Sequence, residues 1–164
     1  MEQELGLYKI DPSYLKYMHS VDNRVSVKYN NRPFVGVITM INDMPYVLPL
    51  TSQTTQDRKK QGKNKRAAII TTFIKDRSNI EIANILHNNM FPVKEGTYKL
   101  LDVDAKEDTY ESNEIRYIRK HKTEIIKKAK TVYNSRIGGH NSFLMNTCCD
   151  FRKLEEHCVT FEIK

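Results

Sequence analysis

The sequence predicts an α+β fold, with antiparallel strands in the earlier part of the chain and helices after them. Alternating or β-branched segments bounded by turn residues recur as far as Val103, which gives about six or seven strands. After Asp108 the apolar residues recur at helical spacings, and the longest such stretch runs from Tyr110 to Arg136. We therefore expect a compact sheet core with several helices packed on it, the longest in the C-terminal half.

Composition favours one domain that binds a polyanion. A chain of 164 residues fits a single domain, 1–164, and its 27 Lys and Arg against 20 Asp and Glu give a net charge of +7. This charge predicts nucleic acid as the first partner and a membrane surface as the second. No stretch approaches the roughly 20 apolar residues of a membrane span. Glu2 and Glu4 stand where a signal peptide carries lysines, so we expect a cytosolic protein.

The chain opens with a short alternating segment, Leu5 to Ile10. Asp11-Pro12 then caps and starts a helix, because Asp supplies a side-chain acceptor and Pro a preset backbone angle. This amphipathic helix is predicted from Pro12 to Ser20. Val25 to Tyr29 is a candidate strand, and Asn30 to Pro33 is predicted as a turn.

A hairpin follows and leads to a pair of hydroxyl side chains. Phe34 to Ile41 is predicted as a strand with Gly36 inside it, and Asn42-Asp43 turns the chain into a second strand, Pro45 to Leu50. Thr51-Ser52 comes where that second strand ends. Two hydroxyls are thus presented at an edge of the predicted sheet.

The run from Gln53 to Arg66 is strongly basic, and its pattern predicts a mobile, cationic loop. Its cations are Arg58, Lys59, Lys60, Lys63, Lys65 and Arg66. A hydroxyl pair beside such a loop suits a phosphate, since hydroxyls donate directional hydrogen bonds and cations supply charge. The alternative is that Thr51-Ser52 serves ordinary turn chemistry and that the basic run is a solvated surface.

The middle of the chain supplies the remaining predicted strands. Ala67 to Ile74 is a β-branched block that predicts a buried strand, whereas Ser78 to His87 has apolar spacing that suits a short helix. Met90 to Val93 is extended again, and Thr97 to Val103 is a further strand. Asp104 to Asp108 reads as a polar link before the helices.

The helical part carries a second set of cations. Its apolar stripe is interrupted at His121-Lys122, which indicates either two helices or one helix with a polar notch. The opposite face carries Arg116, Arg119, Lys120, Lys127, Lys128 and Lys130. These residues form either an RNA-binding surface or a solvated helix face. Gly138-Gly139 stops the helix, Thr147 to Asp150 has capping-box spacing before a last helix, and Val159 to Ile163 is a candidate edge strand.

Other chemistries have little support in the sequence. The three cysteines, Cys148, Cys149 and Cys158, lack framework spacing, and we interpret them as reduced thiols. A metal site that joins the adjacent cysteines to His140 and His157 is disfavoured, because adjacent cysteines do not form the usual chelate. We expect no metal and no other cofactor. The sequence also has no glycine-rich phosphate loop and no helix-turn-helix with a basic second helix, so we expect neither nucleotide hydrolysis nor DNA as a partner.

Six segments occur in a characteristic order along nearly the whole chain. They are Tyr29 to Gly36, Tyr46 to Ser52, Asn89 to Val93, Glu114 to Ile118, Lys128 to Tyr133 and Cys149 to Phe151. In this order they resemble the ToxN/AbiQ/CptN endoribonucleases, the protein toxins of type III toxin-antitoxin systems. The resemblance implies a highly curved antiparallel sheet or barrel core of the MazF/CcdB-like toxin type, decorated by helices.

The resemblance also implies partners and an activity. It implies sequence-selective cleavage of mRNA and a role in phage defence by abortive infection. It further implies restraint by a small antitoxin RNA, a folded repeat of pseudoknot type, which the toxin processes and holds in a cyclic protein-RNA assembly. No membrane partner is implied. The alternative is a non-catalytic RNA-binding module, which would have the same net charge and the same salt-dependent affinity.

The family's functional residues fall on particular positions of this chain. Its hydroxyls fall on Thr51 and Ser52, and its tyrosine before the hairpin falls on Tyr29. The family usually has a lysine two residues after the serine, where this chain has Thr54. We expect a lysine of the basic run to replace it, and the candidates are Lys59 and Lys60, with Lys63 behind them.

The implied reaction needs no metal. The 2′-hydroxyl of the substrate attacks the adjacent phosphate and leaves 2′,3′-cyclic phosphate and 5′-hydroxyl ends. The protein aligns the attack, moves a proton and stabilises the charge on the phosphorane. Thr51 and Ser52 are expected to orient the phosphate, a lysine and Arg32 to stabilise it, and Tyr29 to stack or hydrogen-bond nearby.

Overall fold

An antiparallel sheet of seven strands runs through the residues that the computed structural model describes, 5–27 and 34–163. The strands are β1 (Leu7–Ile10), β2 (Val35–Ile41), β3 (Met44–Thr51), β4 (Thr71–Lys75), β5 (Glu81–Leu86), β6 (Phe91–Pro92) and β7 (Tyr98–Leu100). They lie in the order β4-β5-β3-β2-β1-β7, and β6 pairs with β3 off this path. The sheet is open, with β4 and β7 at its ends. The predicted α+β class is confirmed.

Six α-helices surround the sheet in the described residues. They are α1 (Pro12–Val21), α2 (Thr55–Lys60), α3 (Tyr110–Lys120), α4 (Lys122–Gly138), α5 (Ser142–Thr147) and α6 (Phe151–Thr160). The stripe interrupted at His121 thus belongs to two helices, and α4 is the longest with 17 residues. Asp11 caps α1 as predicted, and Gly139 ends α4 with a left-handed φ of 70°. No described helix is both long and apolar enough to cross a membrane.

Buried apolar side chains from the sheet and from most helices form one cluster. The amphipathic helix α1 buries its apolar face at Tyr14, Leu15 and Met18. Tyr46 of β3 and Tyr133 of α4 both donate hydrogen bonds to Oε2 of Glu155 in α6, at 2.5 and 2.6 Å. Because these hydroxyls come from different elements, the carboxylate joins β3, α4 and α6 in one place.

The cysteines lie in this core as free thiols. Cys148, Cys149 and Cys158 are buried, and burial raises the pKa of each thiol. The prediction of reduced thiols is confirmed. Among the described residues, no three His, Cys, Asp or Glu side chains come together as a metal site.

The helix predicted from Ser78 to His87 is wrong, because residues 78–80 form the turn before β5, the next six form β5, and His87 begins a short 3-10 turn. Asp76 accepts hydrogen bonds from the backbone N–H groups of Ser78 and Ile80, at 2.9 and 3.0 Å. Asn79 takes a left-handed φ of 63°. This tight turn brings β5 back beside β4, and strand pairing outweighs an apolar spacing that suits either structure.

The mobile loop predicted for residues 53–66 is also wrong, since it contains α2. Thr54 accepts a hydrogen bond from the N–H of Asp57, and Asp57 accepts one from the N–H of Thr54, which makes a capping box. After the basic run, the first half of the predicted strand Ala67 to Ile74 is a 3-10 turn, Ala68–Ile70. Only its second half pairs, as β4.

Predictions at three other places are corrected. Residues 25–27 form no strand, and residues 28–33 lie outside the described residues. Asp150 rather than Thr147 caps the last helix, because its side chain accepts from the N–H of Lys153. The predicted edge strand after Val159 is wrong, since α6 continues to Thr160 and Phe161 then packs edge-on against the Tyr14 ring.

Candidate active site

β3 changes neighbours just before its last residues. Its residues from Met44 to Pro49 pair with β2, whereas Leu50 and Thr51 pair with β5. A Cβ at Gly36 of β2 would lie 2.6 Å from the carbonyl oxygen of Leu48, so only glycine allows β2 to approach β3 this closely. The junction of the two ladders is thereby fixed next to the Thr51-Ser52 pair.

The two hydroxyl residues lie where the sequence places them, at the end of β3. Thr51 is partly buried, and its Oγ1 accepts a hydrogen bond from the N–H of Gln53 at 3.2 Å. This contact turns the chain out of the strand. Ser52, at the turn itself, is exposed. The strand end therefore offers one anchored hydroxyl and one exposed hydroxyl side by side.

Asn84 of β5 lies directly across from Thr51. Paired residues of antiparallel strands project to the same face, with Cβ atoms about 4.5 to 5.5 Å apart. The Asn84 side chain is fully buried, and its Nδ2 donates to Glu81 Oε2 at 2.9 Å and to the Ala83 carbonyl at 2.8 Å. Its Oδ1 is thus held in place to accept a further donor.

That donor is Arg66, the last cation of the basic run. Its Nη1 donates to Asn84 Oδ1 at 2.9 Å and to the carbonyl of Gln53 at 2.7 Å, and its Nη2 donates to Oε1 of Gln53 at 2.8 Å. The guanidinium is partly buried, and burial, with the nearby charge of Arg58, lowers its pKa. Arg66 therefore lies on the same face of the sheet as Thr51, bound to the residue that follows Ser52.

Glu81 completes this network from the other side. Its Oε2 accepts from the backbone N–H of Thr55 at 2.6 Å, from the Thr55 hydroxyl at 3.1 Å and from Asn84. Burial alone would raise the pKa of Glu81, but these donors outweigh it and the pKa is lowered. The carboxylate thus fixes the start of α2 to β5.

We call residues 53–66 the basic lobe, since they fold back as an ordered unit over this strand end. Gln53 Nε2 donates to Gln61 Oε1 at 3.0 Å, and Arg58 Nε donates to the carbonyl of Asn64 at 2.8 Å. Lys65 places its Nζ 4.7 Å from the centre of the Phe73 ring. The side chains of Lys59, Lys60 and Lys63 are exposed. Tyr29 and Arg32 lie outside the described residues.

The cations predicted on α3 and α4 divide into two kinds. Arg116 donates to the carbonyls of Ala105 and Glu107, and Arg119 Nε donates to the carbonyl of Leu5 at 3.0 Å. Lys128 is partly buried, and its Nζ donates to the carbonyls of Ala68 and Thr71 at 2.9 Å each. The exposed members of the set are Lys120, Lys127 and Lys130.

Sequence reasoning missed the residues that organise the strand end. The sequence pattern places Asn84 and Glu81 in a predicted helix and Gln53 only at the start of a predicted loop, and it gives no sign of the hydrogen bonds that join them to Arg66 and Thr55. One signal was readable, the capping-box spacing of Thr54 and Asp57, which predicts a helix inside the basic run. A lone Asn in an apolar segment carries no such signal.

Comparison with known proteins points to one family. The family model for the toxin ToxN of type III toxin-antitoxin systems matches residues 6–159. The chain is 24% identical to the endoribonuclease AbiQ of Lactococcus lactis subsp. lactis over 100% of its length and 93% of that protein. It is 28% identical to the endoribonuclease ToxN of Bacillus thuringiensis subsp. kurstaki over 94% of its length and 83% of that protein.

A solved structure points to the same family. It is a type III toxin-antitoxin protein whose description reports selective toxin inhibition by a non-coding RNA pseudoknot. It matches with a TM-score of 0.79 and 25% identity, over 96% of this chain and 97% of that one. The similarity therefore extends over nearly the whole of both chains.

Proposed function

The chain belongs to the ToxN toxin family of type III toxin-antitoxin systems, and from this premise we propose that it is an endoribonuclease toxin. The observation that carries the proposal is the pair of hydroxyls at the end of β3, beside a basic lobe that folds back over the same sheet face. Related proteins that cover most of this length are named endoribonucleases. We propose a cytosolic location, where mRNA and a small RNA are both present.

The proposed reaction cleaves the RNA backbone without a metal. The 2′-oxygen of the substrate bonds to phosphorus and loses its proton, while the bond from phosphorus to the 5′-oxygen breaks and that oxygen gains a proton. Thr51 and Ser52 donate hydrogen bonds to the phosphate oxygens, and the basic lobe offsets the charge of the phosphorane. We retain Tyr29 and Arg32 as further candidates, together with the exposed Lys59 and Lys60.

We further propose that a small folded RNA inhibits the toxin. A folded RNA meets the protein through many phosphates, so its binding requires a broad cationic surface in addition to the strand end. The exposed lysines Lys120, Lys127 and Lys130 on α3 and α4 are the candidates for that surface. A role in phage defence by abortive infection follows from the same proposal.

Cleavage by a Ser52→Ala variant tests the proposal. The exposed hydroxyl contributes little to packing, whereas the loss of one transition-state hydrogen bond costs about 3 kcal/mol, or about a hundredfold in rate. We expect this loss on a labelled single-stranded RNA, with an unchanged melting temperature. Ser78→Ala, in the exposed turn before β5, is the matched control and should cleave at the wild-type rate.

The products provide a second readout. Cleavage should continue in EDTA and leave 2′,3′-cyclic phosphate ends. A requirement for magnesium, or 3′-hydroxyl products, would contradict the proposed chemistry. RNA that binds to the wild-type protein and stays intact would favour a non-catalytic RNA-binding module instead.

A further inference from the structure

We propose that Arg66 takes the cationic role at this strand end and holds the scissile phosphate against the hydroxyls of Thr51 and Ser52. This inference rests on the proposed function and names the residue of the basic lobe whose contacts lead to the strand end. It assigns to a fixed guanidinium the role that the sequence suggests for Lys59 or Lys60.

The first argument is position. Arg66 is bound on both sides of the hydroxyl pair, to Asn84 across the sheet from Thr51 and to Gln53 directly after Ser52. Side chains paired across two antiparallel strands lie about 4.5 to 5.5 Å apart at Cβ, so a group hydrogen-bonded to Asn84 is within reach of a ligand held by Thr51. Three short contacts fix the guanidinium in this place before any substrate binds.

The second argument is charge. All three acceptors of Arg66 are neutral amide or carbonyl oxygens. The carboxylate of Glu81, in the same network, is bound to Thr55 and Asn84 instead. The nearby charge of Arg58 disfavours the Arg66 charge further, and the carboxylate of Glu81 offsets this by a smaller amount. A partly buried cation with only neutral partners is stabilised by an anion, and a phosphate supplies one.

The third argument is the donors that remain. A guanidinium has five N–H groups, and the three described hydrogen bonds of Arg66 leave two of them for a ligand. Two donors in one plane suit two oxygens of a phosphate. Lys59 and Lys60, in contrast, are exposed at the end of α2, and no contact described for them leads to the strand end.

The experiment compares Arg66→Gln and Arg66→Lys with Arg77→Gln, a matched loss of one exposed arginine in the turn before β5. The readouts are kcat on a labelled single-stranded RNA and the affinity for the same RNA carrying 2′-O-methyl groups, which bind but cannot attack. We expect Arg66→Gln to lower kcat about a hundredfold with a much smaller loss of 2′-O-methyl affinity. Arg66→Lys should be intermediate, and Arg77→Gln should match wild type.

Chemical rescue distinguishes a direct role of Arg66 in cleavage from a purely structural role. Free guanidinium at millimolar concentration should restore part of the kcat of Arg66→Ala and none of the losses in Ser52→Ala. An active wild type with an equally active Arg66→Gln overturns this inference and leaves the proposed function standing. A lowered melting temperature together with no rescue also overturns it, because Arg66 would then only hold the lobe. A wild type that cleaves no RNA overturns the proposed function itself.

Discussion

The basic lobe and the helix pair α3–α4 contribute similar sets of cations, but the two regions hold them differently. In the lobe, the arginines are fixed by neutral oxygens of the same lobe or of β5, whereas Lys59, Lys60 and Lys63 are exposed. On the helix pair, Arg116, Arg119 and Lys128 reach across to carbonyls of other segments. The number of cations in a segment therefore does not measure its binding surface. The binding surface depends on which of these cations already make hydrogen bonds within the protein.

Two acidic residues show the same contrast. Glu81 beside the lobe accepts three hydrogen bonds, and its pKa is lowered although burial acts against the charge. Glu114 on α3 is 5% exposed, and burial, with the nearby charge of Glu111, raises its pKa to about 8. The donors around Glu81 stabilise its negative charge, whereas the inner side of α3 disfavours the charge of Glu114.

The largest expected effect on stability distinguishes two neighbouring lysines of α4. Lys128→Met removes both hydrogen bonds to the 3-10 turn and β4, and we expect it to cost about 2 to 3 kcal/mol in the free energy of unfolding. Lys127→Met, at the exposed position before it, should cost close to nothing. Urea unfolding of both variants measures the difference. Equal stabilities of the two variants would mean that the hydrogen bonds of Lys128 contribute no more to folding than a solvated side chain does.

A smaller effect is expected at Glu114, and it depends on pH. The folded state holds the proton up to a pKa of about 8, whereas the unfolded carboxyl releases it near its ordinary pKa of 4.5. The folded state therefore binds more protons between these values, and the group's contribution to stability falls as the pH rises through this window. Glu114→Gln removes that loss, and we expect a gain in stability that is almost zero at the lower end of the window and grows toward its upper end.

The measurement is thermal unfolding of both proteins across this pH window, with Glu156→Gln on the exposed side of α6 as the control, because Glu111 itself contributes to the raised pKa of Glu114. A constant difference between wild type and Glu114→Gln would contradict the raised pKa. An equal pH-dependent gain in Glu156→Gln would assign the effect to surface charge.

The sequence predicted the fold well wherever one local signal determines the structure. The Asp11-Pro12 start of α1, the Asn42-Asp43 turn and the Gly139 end of α4 each depend on a backbone preference of one or two residues. The segment that forms β5 lacks such a signal within itself. Its apolar spacing suits a helix or a strand, and the turn at Asn79, together with pairing to β4, decides between them.

The strand-end hydroxyls could be predicted, but their supporting network could not. Thr51 and Ser52 are adjacent at the end of a readable strand. Asn84 and Arg66 lie 18 residues apart and meet only because the lobe folds back over β5. Likewise the pattern on α3 and α4 located Lys127, Lys128 and Lys130 on a helix without showing that Lys128 turns to the carbonyls of Ala68 and Thr71. Tertiary hydrogen bonds of this kind leave no local pattern.

The smallest effect on the stability of the protein is expected at the exposed lysines of α4. Changing them also gives the sharpest test of the difference between the basic lobe and the helix pair. Lys127 and Lys130 are three residues apart on one helix face, and neither is used in a described internal contact. Reversing both to Glu should therefore leave stability and the cleavage of a short single-stranded RNA unchanged. A folded inhibitor RNA, which needs more phosphate contacts than a short substrate, should bind more weakly.

Salt dependence shows whether these lysines contact phosphates. Each phosphate contact contributes about 0.7 to 0.9 to the slope of log affinity against log salt, so the double reversal should reduce the slope for the folded RNA by about 1.5. The control reverses Lys16 and Lys153, exposed on α1 and α6, which gives the same change in net charge at other sites. If both double variants weaken binding equally and keep the wild-type slope, only net charge matters. If cleavage of the short RNA falls along with inhibitor binding, the α4 face belongs to the active site, because one surface then serves both RNAs.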